Sequence, residues 1–248
     1  MMTKHTFPHY DALKAGYNVE VPPDFHFVYD VVDVIAAEEP RRRAMIHVGP
    51  HGETREFDFA WFAENSARLA HALKKQGVRK GDRIMLVLYR SVEFWLSMLA
   101  LHRIGAIAIP GPAQLTVKDI AFRASYGKLA GIICEDTITQ RVEESRQHYD
   151  GWKFFIQTNS SGLNNPGQTE PGQHLPADAP LCCAKAPLPE GWLYFVALLA
   201  QNDPTSIPKP ARPELAAGAL VRRGDLEVGI EIGARRGRPV HAGRIDAP

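Results

Sequence analysis

Two acidic residues, Glu135 and Asp136, directly follow an apolar run at Leu129–Cys134 that is predicted to be a strand. Paired carboxylates at the end of a strand can bind a metal ion or act as a general acid and base. The same residues also suit the first turn of a helix, because the helix dipole favours negative charge there. We expect Glu135-Asp136-Thr137 to be a solvated helix start, and this interpretation assigns no chemistry to the pair.

The turns after the other predicted strands lack the residues that bind phosphate. Tyr89–Val92 contains no glycine, whereas a dinucleotide-binding turn needs glycines so that its backbone can approach the pyrophosphate. Pro110–Gln114 contains one glycine and no Lys-Ser or Lys-Thr pair, so it does not match a P-loop. No Gly-x-Ser-x-Gly sequence, which would place a nucleophilic serine, occurs in the chain. The sequence therefore predicts no catalytic residue.

Histidine and cysteine are too scattered to predict a metal site or a disulfide framework. The ten histidines include no i, i+4 pair on a predicted helix. Cys182 and Cys183 are adjacent and lack the two-residue spacer of a metal knuckle, and Cys134 is the one other cysteine. We expect no bound metal, reduced thiols and a cytoplasmic location.

Composition and charge argue against several classes of protein. The chain has 248 residues, of which 45% are hydrophobic, and this suffices for a sizeable core. The formal net charge is +1, so no overall field attracts nucleic acid or anionic lipid. No apolar run is long enough for a transmembrane helix, and Met1–Tyr10 lacks the apolar stretch of a secretory signal. We therefore expect neither nucleic acid as a partner nor a membrane span.

Strands and helices alternate along residues 44–158, and this order is typical of a doubly wound α/β sheet. The predicted strands are 44–48, 54–59, 83–88, 106–109, 129–134 and 153–157, and the predicted helices are 28–37, 59–76, 92–104, one from 117, and 137–147. Turn residues at Gly49–Gly52 make the first two strands a hairpin. Asp58, Ser91 and Thr116 are predicted N-caps, and Gly105 is a predicted helix end. The fold class is α/β, with a mostly parallel sheet, helices on both faces and an N-terminal β-hairpin.

Composition divides the chain into five segments. Residues 1–25 are predicted to be an extended arm, because Pro22 and Pro23 oppose a helix, and 26–158 are the α/β subdomain. Residues 159–187, rich in Pro, Gly, Asn, Gln and Ser, are predicted to be a polar loop or disordered insert. Residues 188–210 contain a short apolar island. Residues 211–248, rich in Ala, Gly, Arg and Pro, are expected to be poorly ordered.

An ordered set of short segments resembles the N-terminal portion of AMP-forming acyl-CoA synthetases, which belong to the adenylate-forming enzyme superfamily. The set is similar above all to the medium-chain branch. The segments are 57–59, 64–70, 80–84, 93–96, 103–106, 110–111 with 118–120, and 190–195 with 198–199. The resemblance implies that residues 26–158 are a partial N-terminal subdomain of the acyl-CoA synthetase fold.

The resemblance also implies an ATP-dependent reaction in two steps. A carboxylic acid and ATP form an acyl-adenylate and pyrophosphate, and the thiol of coenzyme A then displaces AMP to give the acyl-CoA. Members of the family hold the triphosphate, with Mg²⁺, on a Ser/Thr/Gly-rich loop that ends in Pro-Lys. ATP, Mg²⁺ and coenzyme A are thus implied for the whole family, whereas no cofactor is expected for this chain.

The chain departs from the family pattern at the phosphate loop. Thr158–Gly162 follows a strand but comes too early and is not followed by a lysine. Thr205-Ser206-Ile207-Pro208-Lys209 keeps Thr-Ser and Pro-Lys but has no glycine between them, so its backbone cannot wrap a phosphate. We treat Thr205, Ser206 and Lys209 as weak candidates for remnant cofactor-binding residues.

These observations predict an N-terminal fragment of an acyl-CoA synthetase that is inactive by itself. We expect the family-like sequence to end between about Ile207 and Leu215, by a frameshift or a wrongly assigned gene end. Two alternatives stay open: a non-catalytic α/β interaction module that pairs with itself or with a full-length relative, and a nucleotide-binding regulatory domain.

Overall fold

The computed structural model describes residues 10–16, 22–49, 52, 54–159, 174–175 and 187–204. The chain divides between Arg212 and Pro213, and the described residues all belong to the first part. The predicted tail and most of the predicted polar insert lie outside the described residues. No helix in the described segments is long and apolar enough to cross a lipid bilayer.

Helices and strands alternate through the described residues in the order that the sequence predicts. The helices are α1 (Tyr10–Gly16), α2 (Asp33–Glu38), α3 (Phe59–Lys75), α4 (Val92–Ile104), α5 (Val117–Gly127), α6 (Asp136–Arg146) and α7 (Phe195–Ala200), and a π-helical turn at Val28–Val32 leads into α2. The strands are β1 (Arg43–Val48), β2 (Thr54–Asp58), β3 (Arg83–Val87), β4 (Ile107–Pro110), β5 (Leu129–Glu135), β6 (Phe154–Thr158), β7 (His174–Leu175) and β8 (Trp192–Tyr194).

The first two strands form the predicted antiparallel hairpin, in which Ile46 lies opposite Glu56. They belong to a three-stranded sheet with the order β1-β2-β7. The short strand β7 pairs with β2 in parallel. It falls within residues 159–187, where we predicted a polar loop or disordered insert and no strand.

The prediction of an extended arm over residues 1–25 is wrong at α1. Pro22 and Pro23 oppose a helix only at their own positions and directly before them. The segment Tyr10–Gly16 lies outside that range and contains two alanines, a leucine and a lysine, which are good helix formers. The described part of the arm therefore includes a short helix.

The main sheet has five parallel strands in the order β4-β3-β5-β6-β8. Alternate residues of β3 point to opposite faces: Ile84 and Leu86 join a core with α3, α4 and α7, whereas Met85 and Val87 join a core with α5 and α6. Helices thus cover both faces, as predicted. The strand β8 and the helix α7 were predicted only as an apolar island.

Side-chain caps fix where the helices begin. Asp58 accepts a hydrogen bond from the Trp61 amide at 2.8 Å, and Ser91 accepts one from the Phe94 amide at 3.4 Å. Thr116 and Asp119 bond each other's amides, which makes a complete capping box before α5. At the other end of α4, Gly105 has φ of +77°, a left-handed conformation that glycine adopts without strain. All three predicted caps are confirmed.

Candidate functional site at the carboxyl edge of the sheet

The order of the main sheet reverses between β3 and β5. From β3 the chain crosses one face through α4 to reach β4, and from β5 it crosses the other face through α6 to reach β6. In open α/β sheets the ligand crevice lies at such a switch point, beyond the carboxyl ends of the strands. The residues that follow β3 and β5 therefore define the candidate site.

A hydrogen bond joins the two strand ends at this point. Glu135, the last residue of β5, accepts the Tyr89 amide through Oε1 at 2.7 Å, and only 2% of Glu135 is exposed. The expectation of a solvated helix start is therefore wrong for Glu135, because this residue still follows the alternation of β5 and faces the core. It is correct for Asp136, which is exposed and accepts the Thr137 amide at 2.8 Å.

A second buried acid, Glu93, lies in the first turn of α4 with 4% of its surface exposed. Ser97, one turn later on the same helix face, is fully buried. Glu135 points toward α4 as well, since Ile133, two residues earlier in β5, packs in the core that α4 covers. Glu93, Ser97 and Glu135 are named the carboxyl-edge cluster below. Among the described residues, Oε2 of each acid and Oγ of Ser97 find no hydrogen-bond partner.

The environment of the cluster favours protonated carboxyl groups. Burial raises the pKa of Glu135 to about 7; the Tyr89 amide opposes this rise, and the negative charges of Asp136 and Glu93 add to it. Burial also raises the pKa of Glu93, while hydrogen bonds and the positive charge of Arg55 oppose the rise. Arg55 is itself buried on β2, and its guanidinium lies 4.7 Å from the centre of the Phe57 ring. At least one acid of the cluster thus changes charge in the neutral pH range.

The cluster does not fit the triphosphate of ATP. Two of the three unpaired oxygens belong to carboxyl groups and the third is the hydroxyl of Ser97, whereas a triphosphate needs several donors or positive charge at the same place. In the turn after β4, the amide of Gly111 is already bonded to the carbonyl of Leu86. We therefore assign no adenylation step to the described carboxyl edge.

Two further predictions from the sequence concern cofactor ligands and metal binding. Thr205, Ser206 and Lys209 lie outside the described residues, so their role as remnant cofactor ligands stays a prediction. In the segments that the structure describes, no group of three His, Cys, Asp or Glu side chains could hold a metal ion. Sequence reasoning noted Glu93 only within the family resemblance. The available signal was an acid four residues before a serine on a helix face that is otherwise apolar.

A family model and several curated proteins match this chain. The family described as AMP-binding enzyme matches residues 32–191. Human mitochondrial acyl-coenzyme A synthetase ACSM3 is 31% identical over 147 residues, which cover 57% of this chain and 25% of that protein. Rat mitochondrial acyl-coenzyme A synthetase ACSM5 is 35% identical over 129 residues, which cover 50% of this chain and 22% of that protein. The chain spans about a quarter of the length of these curated relatives.

Solved structures share the fold over most of the chain. Acetoacetyl-CoA synthetase from Streptomyces lividans superimposes with a TM-score of 0.58 at 18% identity, covering 74% of this chain and 26% of that one. A benzoate CoA ligase from Burkholderia xenovorans LB400 gives a TM-score of 0.53 at 18% identity, covering 73% of this chain and 29% of that one. The predicted partial acyl-CoA ligase fold is thus confirmed. Since the family match spans more than half of its residues, the chain belongs to the AMP-binding enzyme family.

Proposed function

We propose that this chain is the N-terminal part of an ATP-dependent acyl-CoA synthetase of the medium-chain branch. The complete enzyme converts a carboxylic acid, ATP and coenzyme A into an acyl-CoA, AMP and pyrophosphate, and its acid is of medium chain length or aromatic. One observation carries the proposal: the family match over residues 32–191 covers the N-terminal hairpin and four of the five strands of the main sheet. The curated relatives that match the same region are named acyl-coenzyme A synthetases.

This chain by itself is proposed to be inactive. Its sequence contains no Ser/Thr/Gly-rich loop that ends in Pro-Lys, so no backbone cradle for the triphosphate is present. The described carboxyl edge carries Glu93 and Glu135, whose carboxyl groups offer no positive charge to a phosphate. Binding and activation of the acid therefore need residues that this chain does not supply.

Exchange of pyrophosphate into ATP tests the proposal directly, because it reports adenylation without coenzyme A. The purified chain is incubated with ATP, Mg²⁺ and either octanoate or benzoate, with human ACSM3 as the positive control. We expect no exchange above that of a reaction without enzyme. Robust exchange by the chain alone would contradict the proposed inactivity. Reading the DNA after the codon for Lys209 in all three frames separately tests whether a phosphate loop follows.

A non-catalytic interaction module is the second candidate function. Trp95 on α4 and Phe122 and Tyr126 on α5 each expose about half of their surface, and the last two rings stack at 5.7 Å. Size-exclusion chromatography with and without a full-length relative tests pairing: joint elution supports it, and independent elution opposes it. A calorimetric titration with ATP tests the nucleotide-binding regulatory alternative, for which we expect no binding.

A further inference from the structure

A side chain, and not the sheet ladder, joins the ends of β3 and β5. The backbone ladder of the two strands ends where Val87 pairs with Cys134. Tyr89 lies two residues beyond that pair, and its amide is held by Oε1 of Glu135 at 2.7 Å. The turn after β3, residues 88–91, is therefore tied to β5 through a carboxyl group that can gain or lose a proton.

The second oxygen of Glu135 explains why its charge matters. Oε2 is buried and has no hydrogen-bond partner in the part of the chain that the structure describes, and the residue as a whole is 2% exposed. An ionised carboxylate with an unpaired oxygen is expensive to bury, whereas a protonated carboxyl group costs far less. Because Glu135 is buried, water can reach the ionised form only if the turn at 88–91 moves away from β5. The closed geometry thus suits the protonated acid.

The negative charges around Glu135 also raise its pKa and so favour its protonated form. Glu93 approaches from α4 and is buried, and its Oε2 likewise has no partner within the described segments. Asp136 adds a second negative charge from the start of α6. The positive charge of Arg55, on β2, lowers the pKa of Glu93. It is not among the causes that set the pKa of Glu135. The neighbouring strand β6 places uncharged Thr158 opposite Glu135. No described neighbour therefore neutralises an ionised Glu135.

We propose that Glu135 is a proton-controlled latch between the turn after β3 and the end of β5. Protonated, the side chain stays buried and holds the Tyr89 amide, so the turn at 88–91 remains against β5. When its proton leaves to solvent, the carboxylate recruits water and the turn is released. The device frees the turn at 88–91 from β5 as the pH rises and holds it there as the pH falls.

The latch is expected to work near neutral pH, since burial raises the pKa of Glu135 to about 7. Two measurements on the unmodified chain test this. A ¹³C NMR titration of the Glu135 side-chain carboxyl group, from about pH 5 to about pH 9, should show its transition near neutrality and not at the ordinary value for glutamate. Hydrogen exchange of the Tyr89 amide, corrected for its intrinsic pH dependence, should lose protection over the same interval.

Substitutions separate the latch from a general loosening of the fold. Glu135→Gln keeps an oxygen for the Tyr89 amide and cannot ionise, so protection of Tyr89 should no longer depend on pH. Glu93→Gln removes a neighbouring negative charge, so the transition of Glu135 should move to lower pH. Asp136→Asn is the exposed control and should keep the transition with a small shift in the same direction.

Two results would overturn the latch. One is an ordinary carboxyl transition at Glu135, and the other is an unchanged pH-dependent loss of Tyr89 protection in Glu135→Gln. If Glu135→Gln does not fold, the titration of the unmodified chain and the direction of the Glu93→Gln shift decide the question.

Discussion

Arg103, in the last turn of α4, forms a two-bond ion pair with Asp33, the first residue of α2. Nη1 donates to Oδ2 at 2.7 Å, and Nη2 donates to Oδ1. The same guanidinium donates through Nε to Ser66 of α3 at 2.8 Å. The side chain of Arg103 is 3% exposed, whereas that of Asp33 is 31% exposed. One buried cation thus holds α2, α3 and α4 together.

Replacing the acid of this pair should destabilise the fold. Asp33→Asn leaves the buried guanidinium of Arg103 with its bonds to α3 but without its counter-charge. We expect the free energy of unfolding to fall by about 2 kcal/mol, because a hydrogen-bonded charge is lost from a largely buried site. Glu64→Gln, which neutralises the exposed partner of Arg68, is the matched control and should cost about 0.5 kcal/mol or less. Urea denaturation measures both, and equal costs would refute this role of Arg103.

Gly131 is required by a ring that lies directly over it. A Cβ atom at this position would lie 2.3 Å from Cζ of Phe154, its cross-strand neighbour on β6. Because Phe154 is buried, its ring cannot move aside cheaply, and we expect Gly131→Ala to cost about 2 kcal/mol. Phe154→Leu in the same chain should recover part of that cost, since the smaller side chain frees the space. A double-mutant cycle by urea denaturation checks this, and strictly additive costs would count against the clash.

Much of this architecture follows from local sequence. The caps Asp58, Ser91 and Thr116 and the apolar runs between them place the helices and strands to within about two residues, because a cap acts within one turn of its own helix. The strand β8 was missed because three residues carry no periodic pattern and its partner β6 lies across a long insert. The burial of Glu135 was missed for a related reason. It depends on Tyr89, 46 residues away, and on the packing of α4.

The capping box before α5 is predicted to stabilise the fold measurably. Thr116→Ala removes the hydroxyl that accepts the Asp119 amide at 3.2 Å, and the loss should cost about 1 kcal/mol. Thr137→Ala is the control, because it changes an exposed threonine in the first turn of α6 without removing a side-chain cap. The Thr116 hydroxyl and amide also lower the pKa of Asp119. Asp119 therefore stabilises the folded chain above its unfolded pKa, and this stabilisation is lost as the pH falls through its folded pKa. Thermal unfolding of both variants at neutral and acidic pH tests this; equal losses from Thr116→Ala and Thr137→Ala would contradict it.

The stability of the chain should also fall as the pH rises, with Glu135 as the cause. Its pKa is about 7 in the folded chain against an ordinary value of 4.5, so the folded state binds more protons between these values. Glu135 therefore adds about 3 kcal/mol to the free energy of unfolding below its unfolded pKa. This stabilisation is lost as the pH rises through about 7. Glu135→Gln should remove this fall, and Asp136→Asn should retain it. Urea midpoints across the pH range measure the effect, and a fall that persists in Glu135→Gln assigns it to another group.

Cys134 is predicted to be unreactive in the folded chain. It lies on β5 with no exposed surface, and burial together with the negative charge of Glu135 raises the pKa of its thiol. Thiol reagents attack through the thiolate and need access, so both conditions fail while β5 stays in the sheet. The measurement uses a Cys182→Ser, Cys183→Ser chain, in which Cys134 is the one remaining cysteine. We expect labelling by a chromogenic disulfide reagent at alkaline pH only after denaturant is added, with a midpoint that matches global unfolding. Rapid labelling of the native chain would contradict this prediction, because it would mean that β5 opens locally and exposes Cys134.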